Sequence, residues 1–95
     1  MDTRTTLLSN VLDALDRLFD RHAEVVDIYV IVYATAQALR SDVLSPLLDE
    51  TATALNATVQ EALSAAAARE RALSLTDALR IALAESLPSP GTQRS

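Results

Sequence analysis

The reactive inventory of this chain is one histidine, no cysteine and thirteen carboxylates. His22 has Asp20 and Glu24 two residues away on either side. On a helix, residues two apart point in different directions, so the three do not converge on an ion or a proton. A carboxylate-bridged metal site in a bundle needs Glu-x-x-His pairs on two helices. Here the position three before His22 is Phe19, so His22 reads as an exposed histidine near a helix end. Asp13, Asp16 and Asp20 form an acidic row. Paired carboxylates do acid–base work when burial raises one pKa. This row lies opposite an apolar stripe and near Arg17 and Arg21, which predicts a solvated, salt-bridged face. It also lacks the glycine of a calcium loop. No Ser-His-Asp or Cys-His arrangement is evident. The residues thus predict no catalytic group, no cofactor and no metal, and a protein that is not an enzyme.

A second group of residues could recognise another molecule. Asp27 sits inside an apolar stretch. It is either a first-turn residue favoured by the helix dipole or a buried carboxylate paired with arginine across an interface. Tyr29 and Tyr33 are one helical turn apart. They suit either an aromatic anchor for a partner or a core position with wet hydroxyls. Asp42, Asp49, Glu50 and Glu61 make a base-free acidic block over residues 41–68. Such a block is a solvated face or a device for steering a basic protein. Asn56-Ala57-Thr58 matches a glycosylation sequon, accidental within a helix.

The elements that position these residues follow from composition and periodicity. The 95 residues carry a net charge of −5, and 49% of them are apolar. From Met1 to Leu87 there is no glycine, and Pro46 is the only proline. Glycine is the default residue for positive φ and close backbone approach. Its absence argues against phosphate loops, nucleophile elbows and tight hairpins. Every base is arginine, which together with abundant alanine suggests a bacterial, GC-rich origin. Acidity argues against nucleic acid and against anionic membrane surfaces. The most apolar run, Val25 to Leu39, is interrupted by Asp27 and falls short of the ~20 residues a membrane span needs. Met1 to Asn10 does not read as a secretory signal, and a cysteine-free chain fits a reducing cytoplasm.

Leu8, Leu12, Leu15 and Phe19, widened by Val11 and Leu18, predict a first helix over about residues 7–21, capped by Thr5 or Thr6. Asp13 and Arg17 stand at i,i+4, the favourable order for a surface pair. Residues 23–41 predict a second helix, although the β-branched run Val25–Tyr33 also suits a strand paired with a second copy. Read as a helix, Val25, Tyr29, Val32, Ala36 and Leu39 share one face. Val26, Val30 and Tyr33 share another, and Ile28 and Ile31 fall outside both. A helix apolar on most sides is buried on most sides, which predicts self-association. Ser45 as N-cap and Pro46 in the first turn start a third helix. Leu48, Ala52, Leu55, Val59, Ala62 and Ala66 continue it as a coiled-coil-like seam. Ser64 and Ala65–Ala68 offer a smooth surface for close helix approach. A phase shift, and a capping-box-like Ser74-Leu75-Thr76-Asp77, predict a break near Leu73–Ser74 and a fourth helix over about 75–87. One continuous helix from Pro46 to Leu87 is the alternative.

The sequence therefore predicts an all-α fold: a small antiparallel bundle of three to four helices over residues 1–87, packing as a homodimer, with a disordered tail over 88–95. The expected function is non-enzymatic protein binding of the inhibitor, immunity, chaperone or adaptor kind. An apolar helix face with an acidic rim would dock onto a basic partner protein. The expected interface comprises Val26, Tyr29, Val30, Tyr33, Asp49 and Glu50. The alternative is a self-assembling structural subunit.

Overall fold

A computed structural model describes residues 3–87, and the tail over 88–95 lies outside them. Every element among the described residues is a helix, with no strand: α1 (Thr3–Phe19), α2 (Val25–Ala38), α3 (Ser45–Gln60), α4 (Ala65–Leu75) and α5 (Asp77–Ser86). Five helices stand where periodicity predicts three or four. The strand reading of Val25–Tyr33 is excluded, since that run lies wholly within α2.

α1, α2 and α3 run antiparallel to their neighbours. Arg4, near the start of α1, pairs with Asp42 beyond the end of α2. Val25 and Val26 open α2 beside Thr58 and Val59 of α3, and Tyr33 sits near Asp49. The core takes Leu8, Val11, Leu15 and Leu18 from α1, Ile28 and Val32 from α2, and Leu48 and Leu55 from α3. α4 adds Ala72, and α5 adds Leu79 and Leu83. Each buried leucine is worth about 2–5 kcal/mol against truncation to alanine. Four threonines are buried as well: Thr35, Thr51, Thr58 and Thr76. The hydroxyls of Thr58 and Thr76 donate back to the carbonyls of Ala54 (3.0 Å) and Ala72 (2.8 Å). Such i−4 bonds satisfy a buried hydroxyl without a side-chain partner.

Three details of the sequence reading change. α1 starts at Thr3, so Thr5 and Thr6 lie within it and do not cap it. Its stripe turns toward Val11 and Leu18, which leaves Phe19 60% exposed instead of in the core. Ile28, expected outside both faces of α2, is fully buried. α2 is flanked by α1 and α3, so its buried arc is wider than one neighbour would make it.

The caps differ too. Leu44 occupies the N-cap position of α3, and Ser45 is already helical. The side chain that serves this turn is that of Asp42, whose Oδ1 accepts the Leu44 N–H at 2.9 Å. The seam of α3 holds at Leu48, Ala52 and Leu55 and ends at the half-buried Val59. Ala62 and Ala66 are exposed and do not extend it. Alanine buries too little area to carry a seam through a reversal. The chain turns at Ala62, with φ 57°, and Ser64 caps α4 by accepting the Ala67 N–H at 3.2 Å. The second break falls at Thr76, not at Leu73–Ser74, and Ser74 remains helical. The Thr76 hydroxyl binds the preceding carbonyls of Ala72 and Leu73, so it does not cap α5.

The turn between α1 and α2 is a Schellman motif without glycine. His22 N–H reaches Arg17 O at 2.7 Å, and Arg21 N–H reaches Leu18 O at 3.2 Å. Arg21 takes the left-handed position with φ 65°. Positive φ is therefore used twice in a glycine-free segment, by an arginine and an alanine.

Candidate functional site

α2 and α3 together contain no lysine or arginine, and their carboxylates are Asp27, Asp49 and Glu50. On α2, Val26, Val30 and Tyr33 follow one another at helical spacing with 45%, 54% and 48% of their surface exposed. Tyr29 lies on the same side, half-buried. Its ring centroid is 5.9 Å from that of Tyr33, with the planes tilted by 33°. That separation is a normal aromatic contact. The two tyrosines thus divide the roles the sequence left open: Tyr29 packs against the core, and Tyr33 faces outward.

Two openings lie along α2 and α3. Midway along the two helices, Tyr29, Tyr33 and Asp49 line a groove of about 220 Å³ with Ala52, Thr53 and Asn56. Where α2 begins and α3 ends, the α1–α2 turn, the end of α3 and the start of α4 enclose an open cleft of about 750 Å³. Its floor is apolar, with Leu18, Val25, Val59 and Leu63, and Val26 stands on its edge. Arg21, Glu24, Arg69 and Glu70 supply the charged rim. Arg69 serves structure here. Its Nε donates to Leu18 O at 3.1 Å and its Nη2 to Phe19 O, so α4 clamps the last carbonyls of α1. A cation at a helix C-terminus is favoured by the dipole.

Three of the six expected interface residues, Tyr29, Tyr33 and Asp49, line the tyrosine groove, and Val30 is exposed on α2 without lining it. Val26 instead joins the large cleft. Glu50 is exposed on α3 and does not line the groove. The acidic block separates into two pairs. Glu61 binds Arg71 at 3.1 Å, and Asp42 binds Arg4. Asp49 and Glu50 form no ion pair among the described residues. The Arg4 guanidinium and the Leu44 N–H hold the Asp42 carboxyl below its ordinary range.

Asp27 is exposed, and its Oδ2 accepts the Glu24 N–H at 3.0 Å, closing a capping box at the start of α2. His22 is exposed in the α1–α2 turn. In the acidic row, Asp13 pairs with Arg17 at 2.7 Å, as the spacing predicts. Asp16 departs from the local reading: it reaches across to Arg80 of α5. Among the described residues no three His, Cys, Asp or Glu side chains gather as metal ligands. No described helix is long and apolar enough to cross a membrane.

The large cleft was not legible in the sequence. It forms where two turns meet, and both turns depend on left-handed residues other than glycine. Ser64 before Ala65–Ala68 is the one signal that could have marked it, as the N-cap of a new helix. No protein family, curated protein or solved structure matches this chain.

Proposed function

We propose that this chain is a non-enzymatic protein-binding module that docks the exposed face of α2 onto a basic partner protein. The observation that carries this reading is the Val26–Val30–Tyr33 stripe, three large apolar side chains about half exposed on one helix face. Isolated exposed apolar residues are ordinary, but a contiguous row is a mark of an interaction surface. Asp49 and Glu50 supply a rim that raises the association rate with a cationic surface, while the stripe holds the complex. Occlusion of the partner's surface is the mechanism, as in an inhibitor, immunity protein, chaperone or adaptor, within a reducing cytoplasm.

Pairing with a second copy through the same stripe is the competing use of this face. The homodimer would bury the apolar row. It would also set Asp27, Asp49 and Glu50 of each copy in a layer without a single base, and like charges across an interface oppose association. Val30→Glu separates these uses from no use at all. The variant keeps its helical spectrum, since Val30 is outside the core. A partner retained from lysate by the wild-type protein and lost by Val30→Glu supports docking. Sedimentation showing a wild-type dimer and a Val30→Glu monomer selects the homodimer. Identical capture by both proteins, with both monomeric, refutes the reading.

A further inference from the structure

We infer that Tyr29, Tyr33 and Asp49 form a receptor for an arginine side chain of the partner. The inference rests on the α2 face being a docking surface and adds what that surface reads. The groove places two aromatic rings and a carboxylate around one small space. An aromatic face attracts a cation, and a guanidinium is the cation best suited to lie flat on a tyrosine ring. The same planar group can present a two-pronged edge to a carboxylate. Asp49 is available for that contact, being exposed and without an ion pair among the described residues.

The charge of the surroundings selects the occupant. Neither α2 nor α3 carries a base. The arginines whose partners are described lie elsewhere: Arg4 on Asp42, Arg17 on Asp13, Arg40 on Gln37, Arg71 on Glu61, Arg80 on Asp16, and Arg69 on the end of α1, while Arg21 lines the large cleft. No described cation competes for the groove. Val30 lies one turn from Tyr33 on the same face, so an arginine entering here would flank apolar side chains resting on the stripe. The complementary element is an amphipathic helix with arginine beside its apolar face.

The probe is a synthetic amphipathic helical peptide with leucines at i, i+3, i+4 and i+7 and flanking arginines. Its control carries citrulline at the arginine positions, which keeps the shape and removes the charge. Both are titrated against the full chain by fluorescence anisotropy. The arginine form is expected to bind at least about fivefold tighter than the citrulline form. That ratio should fall toward one in Asp49→Asn and in Tyr33→Leu. It should persist in Tyr33→Phe, which keeps the ring, and in Glu85→Gln, which removes a remote charge. Equal binding of the two peptides overturns the arginine receptor and leaves the docking face standing. A preference that survives Asp49→Asn and Tyr33→Leu reflects net charge alone and also overturns it. If neither peptide binds, the docking face fails, and the receptor with it.

Discussion

Asp42 shows how a single carboxylate can be drawn out of an acidic block into the framework. Its side chain is only 10% exposed, and it joins Arg4 of α1 to the turn before α3. The Arg4 hydrogen bond and the Leu44 N–H lower its pKa from the ordinary 3.8, against the opposing effect of burial. The unfolded chain takes up this proton at the ordinary value, and the folded chain only at lower pH. Falling pH therefore favours unfolding. The stabilisation is complete above the ordinary carboxylate range and is lost as pH falls through the depressed folded value. Asp42→Ala is expected to cost about 1–2 kcal/mol at neutral pH. Urea midpoints of variant and wild type should converge as pH falls from about 6 to about 2. A constant gap across that range would mean that the ionised form is not what matters. At the same scale Asp13–Arg17 was legible from spacing alone, because i,i+4 neighbours meet on any helix. Arg4–Asp42 and Arg80–Asp16 were not, because their partners are 38 and 64 residues apart.

At the scale of elements, the two left-handed residues, Arg21 and Ala62, turn the chain after α1 and after α3. An L-residue other than glycine in this region costs roughly 1–2 kcal/mol. Glycine removes that cost but loosens the unfolded chain by about 0.4–1 kcal/mol. Ala62→Gly is therefore expected to stabilise the fold by a net ~0.5–1 kcal/mol, seen as a modest rise in the thermal midpoint. Ala62→Val, with a β-branched side chain at positive φ, should destabilise the fold by more than ~1 kcal/mol and lower the midpoint. A lower midpoint for the glycine variant would show that the turn is not strained. The glycine-free stretch correctly signalled helices and no hairpins. It did not signal where the chain reverses, because neighbouring helices can hold an alanine or arginine in a conformation its own preference disfavours.

Across the whole molecule, α2 divides its apolar residues between the core and the surface, and α1 and α3 set the division. Ile28 and Val30 are two residues apart in the same β-branched run, with Ile28 fully buried and Val30 54% exposed. Ile28→Ala is expected to cost ~2–5 kcal/mol in chemical denaturation. Val30→Ala should stay within about 0.5 kcal/mol of wild type. Comparable losses at both positions would mean that Val30 is covered, as it would be in a stable dimer. Charge is divided along the same line: the described ion pairs tie α1, α4, α5 and the turns together, and the base-free α2–α3 layer keeps Asp49 and Glu50 outside them.

Composition and periodicity determined that the chain is helical, because a 3.6-residue pattern without glycine has few other ways to hide its leucines. They also marked Tyr29, Tyr33 and Asp49 as residues of interest, since aromatic and acidic side chains in an apolar setting are conspicuous. Tertiary packing alone decided which face of α2 stays outside, which carboxylates are neutralised, and that two turns meet to leave a cleft. Those outcomes depend on contacts between residues far apart in sequence, and an apolar pattern open on several sides is compatible with more than one set of neighbours.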